Sequence, residues 1–261
     1  MTGDCQLTLT SGGTSGLTLA AGNLPGSNPT QALSDVTAIL SSTTPNNEHC
    51  NFPYTYTPGN WQMYFCRRNS NNTYTCPTTS GRPGQCVPGK FATIRASGTG
   101  GFDQTYGTDV KQSTSTTQCL DFYYYIPGTP NNPKIQVGWK AGENTQQIIE
   151  LTPLPENKWY NSRGSFTAPS SSSYQLTFRM IRDGSSFSHY FGLDEIKIYD
   201  QSCESIGTTT ISIASTTIVQ TETTTPILPD TTTPVLMTAT TVVPDTTTPV
   251  PTTTTTIVPD T

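Results

Sequence analysis

The chain carries few side chains with the chemistry of a catalyst. It has two histidines, His49 and His189, and no Gly-X-Ser-X-Gly elbow to present a serine to either. Both read as exposed residues at strand ends. Glu143, Glu150 and Glu156 fall in turns or at strand ends, with no partner carboxylate to complete the acid and base of glycoside hydrolysis. The seven cysteines show no paired Cys-X2-Cys spacing, which argues for disulfides over zinc.

What remains is the chemistry of binding. Asp103 and Asp194 are candidate ligands of a structural calcium or sodium ion, because such ions take hard oxygen donors. Their plainer roles are capping a turn and satisfying a bulged backbone. Tyr123 and Tyr125 point away from the face formed by Leu120, Phe122, Tyr124 and Ile126. They are candidate ligand-contact residues, able to stack on a sugar or anchor a protein partner. Cross-strand aromatic pairing, or cover by the long 98–118 loop, would be their plainer fate. Asn71-Asn72-Thr73 is an N-glycosylation acceptor, whereas Asn28-Pro29-Thr30 is excluded by its proline.

The elements that must position these residues are strands. Leu120, Phe122, Tyr124 and Ile126 alternate, then Pro127-Gly128 and Pro130 to Pro133 break the run. Ile135, Val137 and Trp139 follow, then Ile149 and Leu151, and then Tyr174, Leu176, Phe178 and Met180 before Asp183-Gly184. Period-2 alternation between Gly, Pro, Asn and Asp breaks marks half-buried strands. Several such runs without a helical pattern between them predict an all-β, antiparallel sandwich or barrel. In the last run, Phe191 and Leu193 share one parity while Ile196 and Ile198 share the other. One extra residue at Asp194-Glu195 returns both pairs to the core, which predicts a β-bulge there. Trp139 and Trp159 are expected in the core or at a sandwich end.

Upstream, Leu7 and Leu9 with Leu17 and Leu19 flank a Gly/Ser/Thr stretch and suggest a hairpin. Asn28-Pro29 reads as a helix start, and Leu33, Val36 and Ile39-Leu40 recur at helical spacing, so a short helix is expected near 29–41. Residues 50–65, rich in aromatics, read as the first strands of the sandwich. Phe91 to Ile94 is a further short strand, and 98–118 a long loop.

Composition sets the outer bounds. The 261 residues carry a formal charge of -5 and are only 12% charged, with no basic block to hold nucleic acid. No apolar run reaches the ~18 residues of a membrane helix. From about Gly207 the chain is almost only Thr, Pro, Val, Ile and Asp, a composition that cannot offset its ordering entropy. Pro229-Asp-Thr-Thr-Thr-Pro-Val235 recurs at Pro244–Val250, and a third copy begins at Pro259. The expectation is an extended mucin-like stalk over 206–261, its hydroxyls open to O-glycosylation. The absence of a charged and apolar leader after Met1, and the end within a repeat, suggest a processed chain or a piece of a longer one.

The pieces CLDFYYYIPG, KIQVGW, NKWYNSRGSF, YQLTFRMIRDG and YFGLDEIKIYDQSC, in that order over 119–203, resemble the C-terminal half of MAM domains. CNF at 50–52 resembles the family's opening, with Trp61 in the place of its early tryptophan. Where the family has an acidic residue after that phenylalanine, this chain has Pro53, so one ligand position of a cation site is missing. The resemblance implies an extracellular jelly-roll β-sandwich over 48–205, preceded by a linker or extension over 1–47. It also implies a Cys119–Cys203 disulfide, and a loop that long contributes roughly 4–5 kcal/mol in the chain-entropy model. Cys50 would then pair with Cys66 and Cys76 with Cys86. The crossed pairing, Cys50 with Cys76 and Cys66 with Cys86, stays open, and Cys5 is left over.

The functional expectation is non-catalytic recognition or adhesion at a cell surface or outside the cell, toward an extracellular protein or glycan, with homophilic contact among the options. A carbohydrate-binding module and a structural matrix or coat protein are the alternatives.

Overall fold

The computed structural model describes residues 7–12, 17–26, 31–41, 48–57, 59–112, 114–169, 173–184 and 188–206. Cys5, the Asn28-Pro29 helix start and the Thr/Pro segment from 207 lie outside the described residues. The strands in chain order are β1 (Thr8–Ser11), β2 (Leu17–Ala20), β3 (Tyr54–Tyr56), β4 (Trp61–Met63), β5 (Arg67–Arg68), β6 (Tyr74–Pro77), β7 (Pro83–Gln85) and β8 (Phe91–Ala96). They continue with β9 (Phe102–Gly107), β10 (Lys111–Gln112), β11 (Thr117–Tyr125), β12 (Lys134–Ala141), β13 (Asn144–Leu151), β14 (Tyr160–Thr167), β15 (Ser173–Arg182) and β16 (His189–Tyr199). Two short helices are α1 (Val36–Leu40) and α2 (Cys203–Ile206).

Two antiparallel sheets form the sandwich. One runs β1-β9-β15-β12-β13, with β10 also on β15; the other runs β14-β11-β16-β8-β2. The alternating residues meet between them: Phe122, Ile135, Val137, Leu176, Phe178, Met180, Phe191 and Leu193 are buried in one cluster, with Ile196 and Ile198 packed against it. The bulge that unites those last two pairs is present. Asp121 pairs with Lys197 and Tyr123 with Asp194, so two steps on β11 face three on β16. Glu195 absorbs the extra residue at φ +48°, in the left-handed region that some bulges use.

Several expected elements are placed differently. β1 and β2 do not pair as a hairpin; β1 adds to β9 and β2 to β8, on opposite sheets. β1 and β2 therefore extend the sandwich, and each sheet ends on one of them. The helix is shorter than 29–41, because Asp35 is extended at φ -71° and ψ 171°. Its backbone neighbours bond to other parts of the domain instead of to their own helix. Residues 54–63 form a separate two-stranded sheet, β3-β4, and not the first sandwich strands. The 98–118 loop contains β9, whose alternation was masked by a glutamine. Gln104 is buried between Phe102 and Tyr106 and accepts the Tyr106 hydroxyl at 2.7 Å. β14 shows no alternation in the sequence because it is an edge strand with a single buried residue, Phe166.

The disulfides are Cys119–Cys203, Cys50–Cys76 and Cys66–Cys86. The first agrees with the family resemblance. The other two correct the expected Cys50–Cys66 and Cys76–Cys86 pairs. The β6–β7 register sets Cys76 opposite Gly84, while Cys86 bonds back to Tyr74 through its N–H at 2.9 Å. Cys50 instead bridges to Thr78, beside Cys76. The two crossed disulfides touch, with Cys50 and Cys86 sulfurs 3.8 Å apart. They tie the β5-β6-β7 sheet to α1 in a small core of Ala38, Cys66, Tyr74, Cys76 and Cys86. Three of these sulfurs lie close enough to suggest a metal cluster, but each is spent in a disulfide and offers no thiolate.

Candidate functional site

The outer face of the β11-β16-β8 layer is not left to solvent. A second apolar core forms there from Ala32, Leu33, Val36, Met63, Phe65, Phe91, Tyr125 and Trp159. Gly192 makes room for it, since a Cβ at that position would lie 2.7 Å from the Trp159 ring. Buried polar bonds fix the 34–36 segment in place. Trp159 Nε1 donates to Ser34 O at 2.8 Å, the Cys66 N–H donates to Ser34 Oγ at 3.1 Å, and the Gly89 N–H donates to Asp35 Oδ1 at 2.8 Å.

Tyr123 and Tyr125 part company on this face. Tyr125 is fully buried, edge-on to Phe65 at 5.8 Å and to Trp159 at 6.2 Å. It is therefore not a surface contact residue, and its cover is the 32–36 and 63–65 segments instead of the 98–118 loop. Tyr123 is half-buried and lines a small apolar pocket of about 100 Å³ with Phe52, Tyr64, Trp159 and the α1 residues Ile39 and Leu40. Leu40 stands on its rim, 62% exposed.

Lys158 closes one side of this pocket. Its ammonium lies 5.2 Å from the centre of the Tyr64 ring and 5.3 Å from that of Tyr160. It is also paired with Glu156. The Tyr64 hydroxyl donates to Glu156 at 2.5 Å, which pushes that hydroxyl up to about 12. Lys158, followed by Tyr64, holds the Glu156 carboxyl below the usual range. The pocket wall is thus pinned by a charged network, while its mouth stays apolar. Sequence reading found Tyr123 but missed Phe52, Tyr64, Leu40 and Lys158. The helical apolar spacing ending at Leu40 and the aromatic density over 52–65 were the available signals.

The remaining candidates fall elsewhere. Asp103 lies on β9 of one sheet and Asp194 on β16 of the other, so the structure does not bring them together as a cation site. Asp103 is exposed and takes Arg179 in two bonds, Nε at 2.7 Å and Nη2 at 2.5 Å. That guanidinium holds its carboxyl below the usual range. Asp194 is fully buried and accepts the N–H of Val36 at 3.0 Å and of Glu195 at 2.9 Å. Burial pushes its carboxyl up, while the Val36 N–H draws it back. A guanidinium stands beside Asp103, and backbone donors stand beside Asp194. His49 is exposed, but His189 is buried at the start of β16, where burial and then Arg182 lower its pKa. The expectation of an exposed His189 is corrected. Asn71 is exposed, and its side-chain oxygen accepts both the Thr73 hydroxyl at 2.7 Å and the Thr73 N–H at 3.2 Å.

The paired antiparallel sheets and the three disulfides define a disulfide-tied β-sandwich module. The chain is a member of the MAM domain family (MAM domain, meprin/A5/mu), which matches residues 46–204. MAM domains are extracellular adhesion modules, and the three disulfides fit that setting. Among solved structures, the chain is similar to TmCBM61 in complex with beta-1,4-galactotriose, at 10% identity over 51% of this chain and 85% of that one, TM-score 0.33. It is also similar to the K2 cleaved adhesin domain of Lys-gingipain, at 15% identity over 44% and 74%, TM-score 0.30. A third is the CBM22-1 xylan-binding domain from Paenibacillus barcinonensis Xyn10C, at 16% identity over 49% and 79%, TM-score 0.29. No curated protein matches the chain. Among the described residues, no helix is long and apolar enough to cross a membrane.

Proposed function

We propose that this chain is a non-catalytic recognition module that holds a protein partner at the pocket beside α1. The observation that carries this reading is the pocket itself. Tyr123, Phe52, Tyr64 and Leu40 surround an apolar opening of about 100 Å³, the size of one aliphatic or aromatic side chain. Anchors of that kind dominate the energy of protein interfaces. The disulfide-tied sheet beneath α1 keeps the pocket preformed, which lowers the ordering cost of binding. The Thr/Pro segment over 206–261 serves as an O-glycosylated stalk that spaces the module from a surface, and Asn71 carries an N-linked glycan.

The test is adhesion by the glycosylated protein coupled to beads. Self-aggregation measures homophilic contact, and capture by cultured cells measures a different partner. Leu40→Glu and Tyr123→Ala should each lower adhesion at least about tenfold, as loss of a central anchor does. Adhesion unchanged by both substitutions overturns the reading. A coat or matrix role predicts instead that only shortening the stalk has an effect.

A further inference from the structure

We propose that the outer face of the six-stranded sheet carries a second binding site, a groove running across the strands that takes a linear, hydroxyl-rich oligosaccharide. This site lies on the sheet opposite the α1 pocket and does not depend on it.

The strand register builds the groove. Gly107 pairs with Thr177, Thr177 with Gly138, and Gly138 with Gln147. These four share one outward-facing row, because Leu176 and Phe178 on β15 and Val137 and Trp139 on β12 face the core. The row has two glycines and a threonine in succession, so its floor is low. Gly138 cannot be enlarged, since a Cβ there would lie 2.4 Å from the Gln146 carbonyl at the β12–β13 bulge. Gln136 and Arg179 wall one side, and Gln175 and Lys140 the other, enclosing about 370 Å³. From β9 to β13 the floor crosses three strand spacings, roughly 14 Å, the length of a short run of linked pyranose rings.

The walls select the occupant by chemistry. The ladder already engages the main-chain groups of the central strands, so a ligand meets side chains. Gln136 is held in one orientation, accepting from Arg179 at 3.1 Å and donating to Glu150 at 2.7 Å. Gln175 donates to Thr108 O at 3.1 Å, which leaves its oxygen as an acceptor. A sugar hydroxyl donates and accepts, so it satisfies carboxamide oxygens and nitrogens alike. An extended peptide fits worse. Val137 and Trp139 line the floor but are themselves buried, so the groove presents no exposed apolar side chain to anchor a peptide. Arg179 is committed to Asp103, so the site is close to neutral, with Lys140 as its ammonium donor.

Isothermal titration of the intact chain with cellohexaose, xylohexaose and a hyaluronan hexasaccharide tests the site. At least one should bind. Thr177→Phe, which fills the floor from the solvent side, should abolish that binding. Gln147→Ala, at an exposed position, should weaken it by roughly fivefold or more, the loss expected for a hydrogen bond. Tyr123→Ala should leave it unchanged, which separates this site from the α1 pocket. The proposal is overturned if none of the three saccharides binds, if binding survives both groove substitutions, or if only extended peptides compete for the groove.

Discussion

The carboxylate of Asp194 accepts the backbone N–H of Val36 at 3.0 Å, across 158 residues of sequence. Asp194 sits at the bulge of β16, and Val36 is the first residue of α1. One side chain therefore serves two purposes. It satisfies the bulged backbone through the Glu195 N–H, and it caps a helix whose own Asp35 makes no capping bond. Asp194→Ala leaves both donors unmet in a buried setting, which costs about 1–3 kcal/mol per group. Urea unfolding should show the lowered midpoint; an unchanged midpoint would mean that the bond carries no weight.

The same carboxyl predicts a pH dependence. Burial raises its pKa in the folded chain above the unfolded value near 3.8. Between those two values the folded state binds more protons than the unfolded state. Stability of the native sequence relative to Asp194→Asn should therefore rise as pH falls through that window. Paired denaturation curves at neutral pH and near pH 4 measure it, and a difference that shrinks on acidification contradicts it.

The two candidate tyrosines should separate on substitution. Tyr125→Ala removes a fully buried ring from contact with Phe65 and Trp159 and should cost about 3–5 kcal/mol. Tyr123→Ala, at a half-buried pocket wall, should cost less than half as much. Thermal unfolding of both variants checks this order.

Deleting residues 1–41 should damage the fold, although the family match begins at residue 46. The deletion removes the edge strands beside β9 and β8 and uncovers Phe91, Tyr125 and Trp159. Unpaired edges and bared aromatics favour aggregation. Light scattering and dye binding should both increase; a soluble, cooperatively folding 42–261 chain would show that the extension is dispensable.

Non-reducing peptide mapping should recover Cys50 linked to Cys76, Cys66 to Cys86 and Cys119 to Cys203. Loss of the last, by paired serine substitution of Cys119 and Cys203, should lower stability by roughly 4–5 kcal/mol in the chain-entropy model.

The strands of the 119–203 block were legible because period-2 alternation is a local property, and each strand shows its buried face within a few residues. The bulge at Asp194-Glu195 was legible for the same reason, as a parity break between Phe191-Leu193 and Ile196-Ile198. β9 and β14 were not, since a buried glutamine and an exposed edge both erase the alternation. Tyr123 and Tyr125 have the same parity and the same local context. Only the distant segments 32–36 and 63–65 make one a core residue and the other a pocket wall.

The sequence by itself determined an all-β chain and the turn positions between its later strands. Tertiary structure decided which cysteines meet, what covers the outer face of the β11-β16-β8 layer, and which side chains share a row across the strands. Those outcomes rest on strand register and on contacts between segments far apart in the chain. Local periodicity sets which face a residue takes, but it does not set what lies opposite.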